Sequence, residues 1–206
     1  MNQRDVLRKA MFCGSLIELI DKTQGYTILP EGMPFDRESE RELLAFIKQE
    51  VKMRGVEVSP TARSVRLYTA PLFGKTGLKV FGVEPFLEKI DRLTQKIACV
   101  LEEDFVVGQV FGRISKNALP HNHGRHVDEK PAYFTLIYPF GSSGPQLYVP
   151  DSTGQMQTIN TPAHRATLLS GRSRQETVGI PATPHAAHNR KFKERTILGV
   201  VYYGKK

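Results

Sequence analysis

From Phe105 to Gly204 the sequence alternates short β-rich runs with clusters of Gly, Pro, Asn and Ser, and this pattern constrains the fold most. The runs are FVVGQVFGRI, YFTLIYPF, PQLYVP, MQTIN, RATLLS, ETVGI and RTILGVVYYG. Short runs rich in Val, Ile, Thr and aromatic residues form strands, and the residues between them form turns. Many short strands with frequent turns predict a sandwich, barrel or jelly roll over residues 105–204.

The region before these strands is predominantly helical by its apolar periodicity. Residues 3–21 carry apolar side chains at helical spacing, and two further stripes follow in DRESERELLAFIKQEVKMRG and EPFLEKIDRLTQKIACVLEE. The first of these two helices is predicted to begin after Asp36 as N-cap and to end at Gly55. The second has Pro85 in its first turn, where a helix tolerates proline. Short strands are expected between the helices, at SVRLYT and LKVFG.

We therefore predict an α+β fold with N-terminal helices packed outside a β core. Residues 1–206 are expected to form one domain. Within it, residues 1–104 would be a helical and mixed support region, and residues 105–204 would be the core.

Composition limits the cellular locations and the binding partners expected for the chain. The 206 residues carry a net charge of +8, which is compatible with an anionic substrate, and the basic residues are spread along the chain. Such dispersion is more typical of a solvated surface than of a nucleic-acid interface. No stretch is long and apolar enough to span a bilayer. Cys13 and Cys99 form no metal-binding pair and no disulfide framework, which favours a reducing, cytoplasmic setting.

The triplet His-Val-Asp at 126–128 raises the question of a metal site. Residues two apart in a strand point to the same face, so His126 and Asp128 would present an imidazole and a carboxylate side by side. A third ligand must come from elsewhere, and the downstream histidines are His164, His185 and His188. Two histidines and one carboxylate form the facial triad of non-haem iron(II) oxygenases, which leaves coordination positions open.

Zinc alternatives are weaker, because the chain has no H-E-x-x-H motif and no cysteine pair at zinc-finger spacing. A closed site made of His121, His123 and His126 stays open as an alternative. Gly124 interrupts the strand alternation, so His121 and His123 are interpreted as loop residues beside the site.

The C-terminal half resembles a known family. The segments HVD, YFTLIYPF, GPQLYV and PHAAHNRKFKERTILGVVYY are similar to those of the iron(II)- and 2-oxoglutarate-dependent dioxygenases, particularly the prolyl-hydroxylase-like branch. That family has a double-stranded β-helix core, a jelly roll related to the cupins. Its signature is H-x-D/E, a distant histidine, and an Arg or Lys about ten residues later. Here Arg195 follows His185 by ten positions (195 − 185 = 10). The resemblance covers roughly residues 105–204.

The resemblance implies a site and a reaction. His126, Asp128 and His185 would bind Fe(II), and Arg195 would bind the far carboxylate of 2-oxoglutarate with a bidentate guanidinium. With O₂ as the second cosubstrate, the enzyme would hydroxylate a C–H bond of an amino acid, a small metabolite or a peptidyl residue, releasing succinate and CO₂. Asp128 argues against the halogenase variant, in which this position is open for chloride.

Several assignments stay open at this level. His188 is the alternative distal ligand, and His164 is interpreted as structural or exposed. Gln109, Thr135 and Tyr138 are candidate polar partners for 2-oxoglutarate. Thr135 and Tyr138 are an odd number of residues apart, so a regular strand cannot point both inward.

Three alternative functions also stay open. A nucleic-acid demethylase of the same superfamily is the enzymatic alternative. A cupin-like metalloenzyme using His121, His123 and another histidine is another. A non-catalytic jelly-roll module that binds a small ligand would not need His126, Asp128, His185 and Arg195 together.

Overall fold

A computed structural model describes residues 25–71, 76–116, 132–141, 144–151, 153–187 and 194–205. The helix predicted over residues 3–21 lies outside this part of the chain. The described helices are α1 (Arg37–Arg54), α2 (Glu84–Leu101) and α3 (Arg172–Val178). The described strands are β1 (Tyr26–Ile28), β2 (Val56–Ser59), β3 (Ala62–Thr69), β4 (Leu78–Lys79), β5 (Phe105–Lys116), β6 (Ala132–Phe140), β7 (Pro145–Pro150), β8 (Met156–Asn160), β9 (Thr167–Ser170), β10 (His185–Ala187) and β11 (Glu194–Gly204).

The strands form two antiparallel sheets. The large sheet has the order β1-β9-β6-β11-β5-β3-β2, with β4 also paired to β3, and the small sheet has the order β10-β7-β8. A buried apolar cluster joins them, with Ile137, Leu169 and Ile197 from the large sheet and Leu147 and Val149 from the small one. We call the face of the large sheet that bears the first three residues its inner face. Two sheets packed face to face confirm the predicted jelly-roll core.

The opposite face of the large sheet packs against α1 and α2. Tyr138 and Leu198 belong to the main hydrophobic core together with Ile47 of α1 and Ile90 of α2. Side chains in a strand alternate between its two faces, so each long strand supplies both cores. The helices therefore lie outside the β core, as the sequence predicts.

The helix boundaries follow the predicted caps. Asp36 caps α1 by accepting a hydrogen bond from the backbone N–H of Ser39 at 2.9 Å, and Gly55 ends the helix. This N–H and the ammonium of Lys89 hold the pKa of Asp36 well below its usual range. The second helix has proline in its first turn, as predicted.

One predicted strand is wrong, because ETVGI contributes to the helix α3 and not to a sheet. The backbone of Gly179 is left-handed, with φ of 82°, and ends this helix. The helix is held by Arg174, which is 2% exposed, pairs with Glu103 at 2.6 Å, and lies over the ring of Phe134 at 4.6 Å. These tertiary contacts override the β propensity of Thr177 and Val178.

Two observations bear on the setting. Cys99, near the end of α2, is disulfide-bonded, so cysteine usage no longer argues for a reducing compartment. Within the described ranges, no helix combines the length and apolar character needed to cross a membrane.

Candidate active site

Arg195 points into the space between the two sheets. It is the second residue of β11 and lies two residues before Ile197, so both side chains lie on the inner face. Its cross-strand partner on β5 is Ser115. The side chain is only 7% exposed, so the sheets enclose a guanidinium group.

The described residues provide no anionic partner for this guanidinium. Its Nε atom is buried without a hydrogen-bond acceptor, and no carboxylate of the described residues forms an ion pair with it. Burial, together with the nearby positive charge of Arg113, lowers the pKa of Arg195 to about 10, so the group is still charged at neutral pH. A buried, unpaired charge is costly, and such groups in folded proteins are normally paired. An anion bound in this interior would therefore pair with the guanidinium.

His185 points into the same space from the small sheet. It pairs with Leu147 of β7, whose side chain lies in the cluster between the sheets, and paired residues of an antiparallel ladder share a face. The imidazole is 4% exposed, and its Nδ1 lies 3.2 Å from the carbonyl oxygen of Thr183. A carbonyl can only accept, so Nδ1 carries the hydrogen in this contact. A ring oriented in this way suits a metal ligand, since metal-bound histidines commonly donate their other N–H to a carbonyl.

The structure thus brings His185 and Arg195 into one interior from opposite sheets. Their ten-residue separation in sequence fits this arrangement. His126 and Asp128, as well as His121, His123 and His188, lie outside the described residues. Among the residues that the structure does describe, no group of three metal-binding side chains occurs. The complete ligand set therefore stays a prediction.

The structure separates the three candidate polar partners of 2-oxoglutarate. Tyr138 points toward the helices, where its hydroxyl donates to Glu40 at 3.1 Å, so it lies on the wrong face. Thr135 lies on the inner face, and its buried Oγ1 has no hydrogen-bond partner in the described part of the chain. The predicted opposition of Thr135 and Tyr138 is confirmed.

Neither inner-face candidate lies beside Arg195. Thr135 and Gln109 are both in register with Val201, six residues further along β11 (201 − 195 = 6). This separation is about 20 Å at the rise of a β-strand. Gln109 also donates a hydrogen bond to the hydroxyl of Tyr203 at 2.7 Å.

The polar neighbours of Arg195 on β5 are Arg113 and Ser115, which the sequence analysis missed. Arg113 is in register with Ile197 and therefore lies diagonally from Arg195 on the inner face. The alternation of side chains along β5 could have indicated both residues. Positions 109, 113 and 115 differ by even numbers, so their side chains point to the same face of a regular strand.

His164 is structural, as one of its two interpretations predicted. Its Nδ1–H donates to the carboxylate of Glu40, which also accepts from Tyr138. The residue is partly exposed and lies on the helix side of the large sheet, which excludes it from the interior site.

No family model and no curated protein matches the sequence. Solved structures do match. A 2OG-Fe(II) oxygenase family oxidoreductase from Burkholderia pseudomallei is 15% identical, with a TM-score of 0.62 over 95% of this chain and 89% of that one. A prolyl-4-hydroxylase from Pseudomonas putida is 13% identical, with a TM-score of 0.60 over 96% of this chain and 100% of that one.

A third match has a different activity. The non-haem α-ketoglutarate-dependent epimerase SnoN of nogalamycin biosynthesis is 13% identical, with a TM-score of 0.59 over 95% of this chain and 83% of that one. At this identity the similarity concerns the fold. Over nearly its whole length, the chain has the jelly-roll fold of 2-oxoglutarate- and iron(II)-dependent oxygenases, the group that its C-terminal sequence resembles.

Proposed function

We propose that the protein is an Fe(II)- and 2-oxoglutarate-dependent oxygenase that hydroxylates a C–H bond and releases succinate and CO₂. The observation that carries this proposal is Arg195, a buried guanidinium on the inner face with no carboxylate partner among the described residues. The fold and the position of His185 in the same interior support it.

Arg195 binds the far carboxylate of 2-oxoglutarate in this proposal. A guanidinium offers two parallel N–H donors to a carboxylate, and the pair is stronger in an interior shielded from water. The bound carboxylate would neutralise a charge for which the described residues provide no carboxylate partner. Arg113 adds positive charge on the same side, which suits a cosubstrate with two negative charges.

His185, with His126 and Asp128, holds the iron in this proposal. The hydrogen bond between Nδ1 and the carbonyl oxygen of Thr183 fixes the ring of His185, and Nε2 would be the ligand atom. Bound iron would supply the activation of O₂, which no protein side chain provides. The apolar cluster around Leu147 and Ile197 would exclude water from this interior.

The reaction and the substrate are the finer parts of the proposal. The matching structures include a hydroxylase and an epimerase, so the fold is compatible with more than one outcome. We propose an amino acid, a small metabolite or a peptidyl residue as the substrate. We also propose a cytoplasmic location, where Fe(II) and 2-oxoglutarate are both available, and cell fractionation would test it.

The test measures two quantities on purified protein with Fe(II) under air: 2-oxoglutarate binding and succinate formation. The proteins are the parent, Asp128→Ala, Arg195→Gln and the control Arg41→Gln, which removes an exposed charge from α1. We expect binding and slow succinate release from the parent and the control. Arg195→Gln should weaken binding by about a hundredfold, because it removes a charge-assisted bidentate contact. Asp128→Ala should stop succinate formation.

Other outcomes select the alternatives. Absence of 2-oxoglutarate binding by the parent would refute the proposal. Binding without succinate, unchanged by Asp128→Ala, would indicate the non-catalytic module. Loss of iron on substitution of His121 or His123, but not of Asp128, would indicate the cupin-like site. Steeply salt-dependent binding of oligonucleotides would favour the nucleic-acid demethylase.

A further inference from the structure

A groove of about 640 Å³ runs over β2, β3 and β5 on the inner-face side of the large sheet. Its volume is within the range of small-molecule sites. Three apolar side chains line it while staying unusually exposed: Val56 at 64%, Val58 at 45% and Leu78 at 43%. Apolar side chains that are exposed together along one groove indicate a binding surface.

The groove is also cationic. Arg54, Arg66 and Arg113 line it, and none of its described lining residues is acidic. Arg54 is neutralised by Glu50 through an ion pair. Arg66 is exposed, and no described carboxylate forms an ion pair with it. The groove therefore combines an apolar side with a positive charge that is open to a ligand.

The β3–β5 register places the guanidinium groups of Arg66 and Arg113 close together. Arg66 is opposite Phe111, and Arg113 is two residues further along β5, opposite Ser64. Diagonal neighbours of this kind are about 7–8 Å apart at Cα, within reach of long side chains. The guanidinium of Arg113 lies over the ring of Phe111 at 5.5 Å, which orients it.

The groove lies beside the candidate active site, because Arg113 is diagonal to Arg195 across β5 and β11. Arg113 lines the groove and is close enough to Arg195 for its charge to affect that residue. A molecule bound beside Arg113 would therefore lie next to the interior that holds Arg195.

We propose that the groove binds the substrate as an organic carboxylate with an apolar body. Arg66 would hold the carboxylate, and Val56, Val58 and Leu78 would contact the body. This inference rests on the proposed function, because it names the class of molecule that the oxygenase would act on.

The test uses naphthalene-2-carboxylate as a fluorescent probe and naphthalene-2-carboxamide as its neutral counterpart. The chain has no tryptophan, so indole emission does not interfere. Binding is measured on the full chain with Mn(II) and saturating 2-oxoglutarate. We expect the parent to bind the carboxylate about tenfold more tightly than the amide. Arg66→Gln should abolish this preference, and the control Arg41→Gln should keep it.

Equal affinities for the two probes, or a preference unchanged in Arg66→Gln, would overturn the inference. In a second titration begun without 2-oxoglutarate, displacement of the bound carboxylate by added 2-oxoglutarate would also overturn it, since the probe would then occupy the cosubstrate site. Failure of the proposed function gives a different result. In that case 2-oxoglutarate would not bind, while the Arg66-dependent preference for the carboxylate would remain.

Discussion

Arg195 combines deep burial with the absence of a carboxylate partner among the described residues. Its guanidinium is enclosed between two sheets, next to the like charge of Arg113. A stable protein seldom keeps such a charge unpaired unless it serves function. In the proposed function, binding of the 2-oxoglutarate carboxylate would offset the cost of this buried charge.

Because the buried charge is costly, Arg195→Met should increase the stability of the ligand-free protein and decrease its affinity for 2-oxoglutarate. Removing an unpaired buried charge should raise the free energy of unfolding of the ligand-free protein by about 1–3 kcal/mol. The same variant should no longer be stabilised by 2-oxoglutarate. Urea titrations with and without the ligand measure both quantities. A ligand-free variant less stable than the parent would show that the guanidinium has a structural role.

A second prediction separates charge from shape at the same position. Arg195→Lys keeps the positive charge but loses the planar pair of donors. We therefore expect the dissociation constant of 2-oxoglutarate for Arg195→Lys to lie between those of the parent and Arg195→Gln. Isothermal titration calorimetry gives the three values, and equal binding by the lysine variant and the parent would argue against a bidentate contact.

At the scale of secondary-structure elements, helix α1 packs closely against strand β5 at Gly112. A Cβ atom at this position would lie 2.6 Å from Cγ2 of Ile47, which is buried on α1. The absence of a side chain lets the helix approach the sheet that carries Arg113 and Ser115. Helix α1 and the large sheet thus share one close contact.

This contact predicts that substitutions at Gly112 and Ile47 have non-additive effects on the free energy of unfolding. Gly112→Ala should reduce the free energy of unfolding by about 1–3 kcal/mol through overpacking. When it is combined with Ile47→Ala, the total loss should be smaller than the sum of the two single losses, because Ile47→Ala removes Cγ1 and Cγ2, the atoms that face the new methyl group. Denaturant unfolding of the four proteins gives the interaction free energy. Additive losses would show that the two side chains do not meet.

The elements also show how far sequence reasoning extends. The caps at Asp36 and Gly55 and the alternation of β5, β6 and β11 are local patterns, and they predicted the helices and most strands. α3 was missed because Arg174, Glu103 and Phe134 stabilise it across long sequence separations. The neighbours of Arg195 depend on the register between strands, which a single sequence does not specify.

At the scale of the whole molecule, two sheets form one interior, and ligand binding should stabilise them together. Adding 2-oxoglutarate with Mn(II) at about a hundred times the dissociation constant should contribute about 2.7 kcal/mol. For a chain of 206 residues this corresponds to a rise in Tm of about 5–10 °C. Differential scanning fluorimetry measures it, with Arg195→Gln as the control that should not respond. A rise of equal size in that variant would place the anion elsewhere.

The position of β11 in the large sheet has a consequence for biosynthesis. It is the last described strand along the chain, yet it pairs with β6 on one side and β5 on the other. During translation, β5 and β6 leave the ribosome before the strand that joins them, and each then has an edge of unpaired backbone groups. The large sheet can therefore be completed only after Gly204 has emerged. A nascent chain that stalls before this point would keep both edges unpaired and would be prone to aggregation.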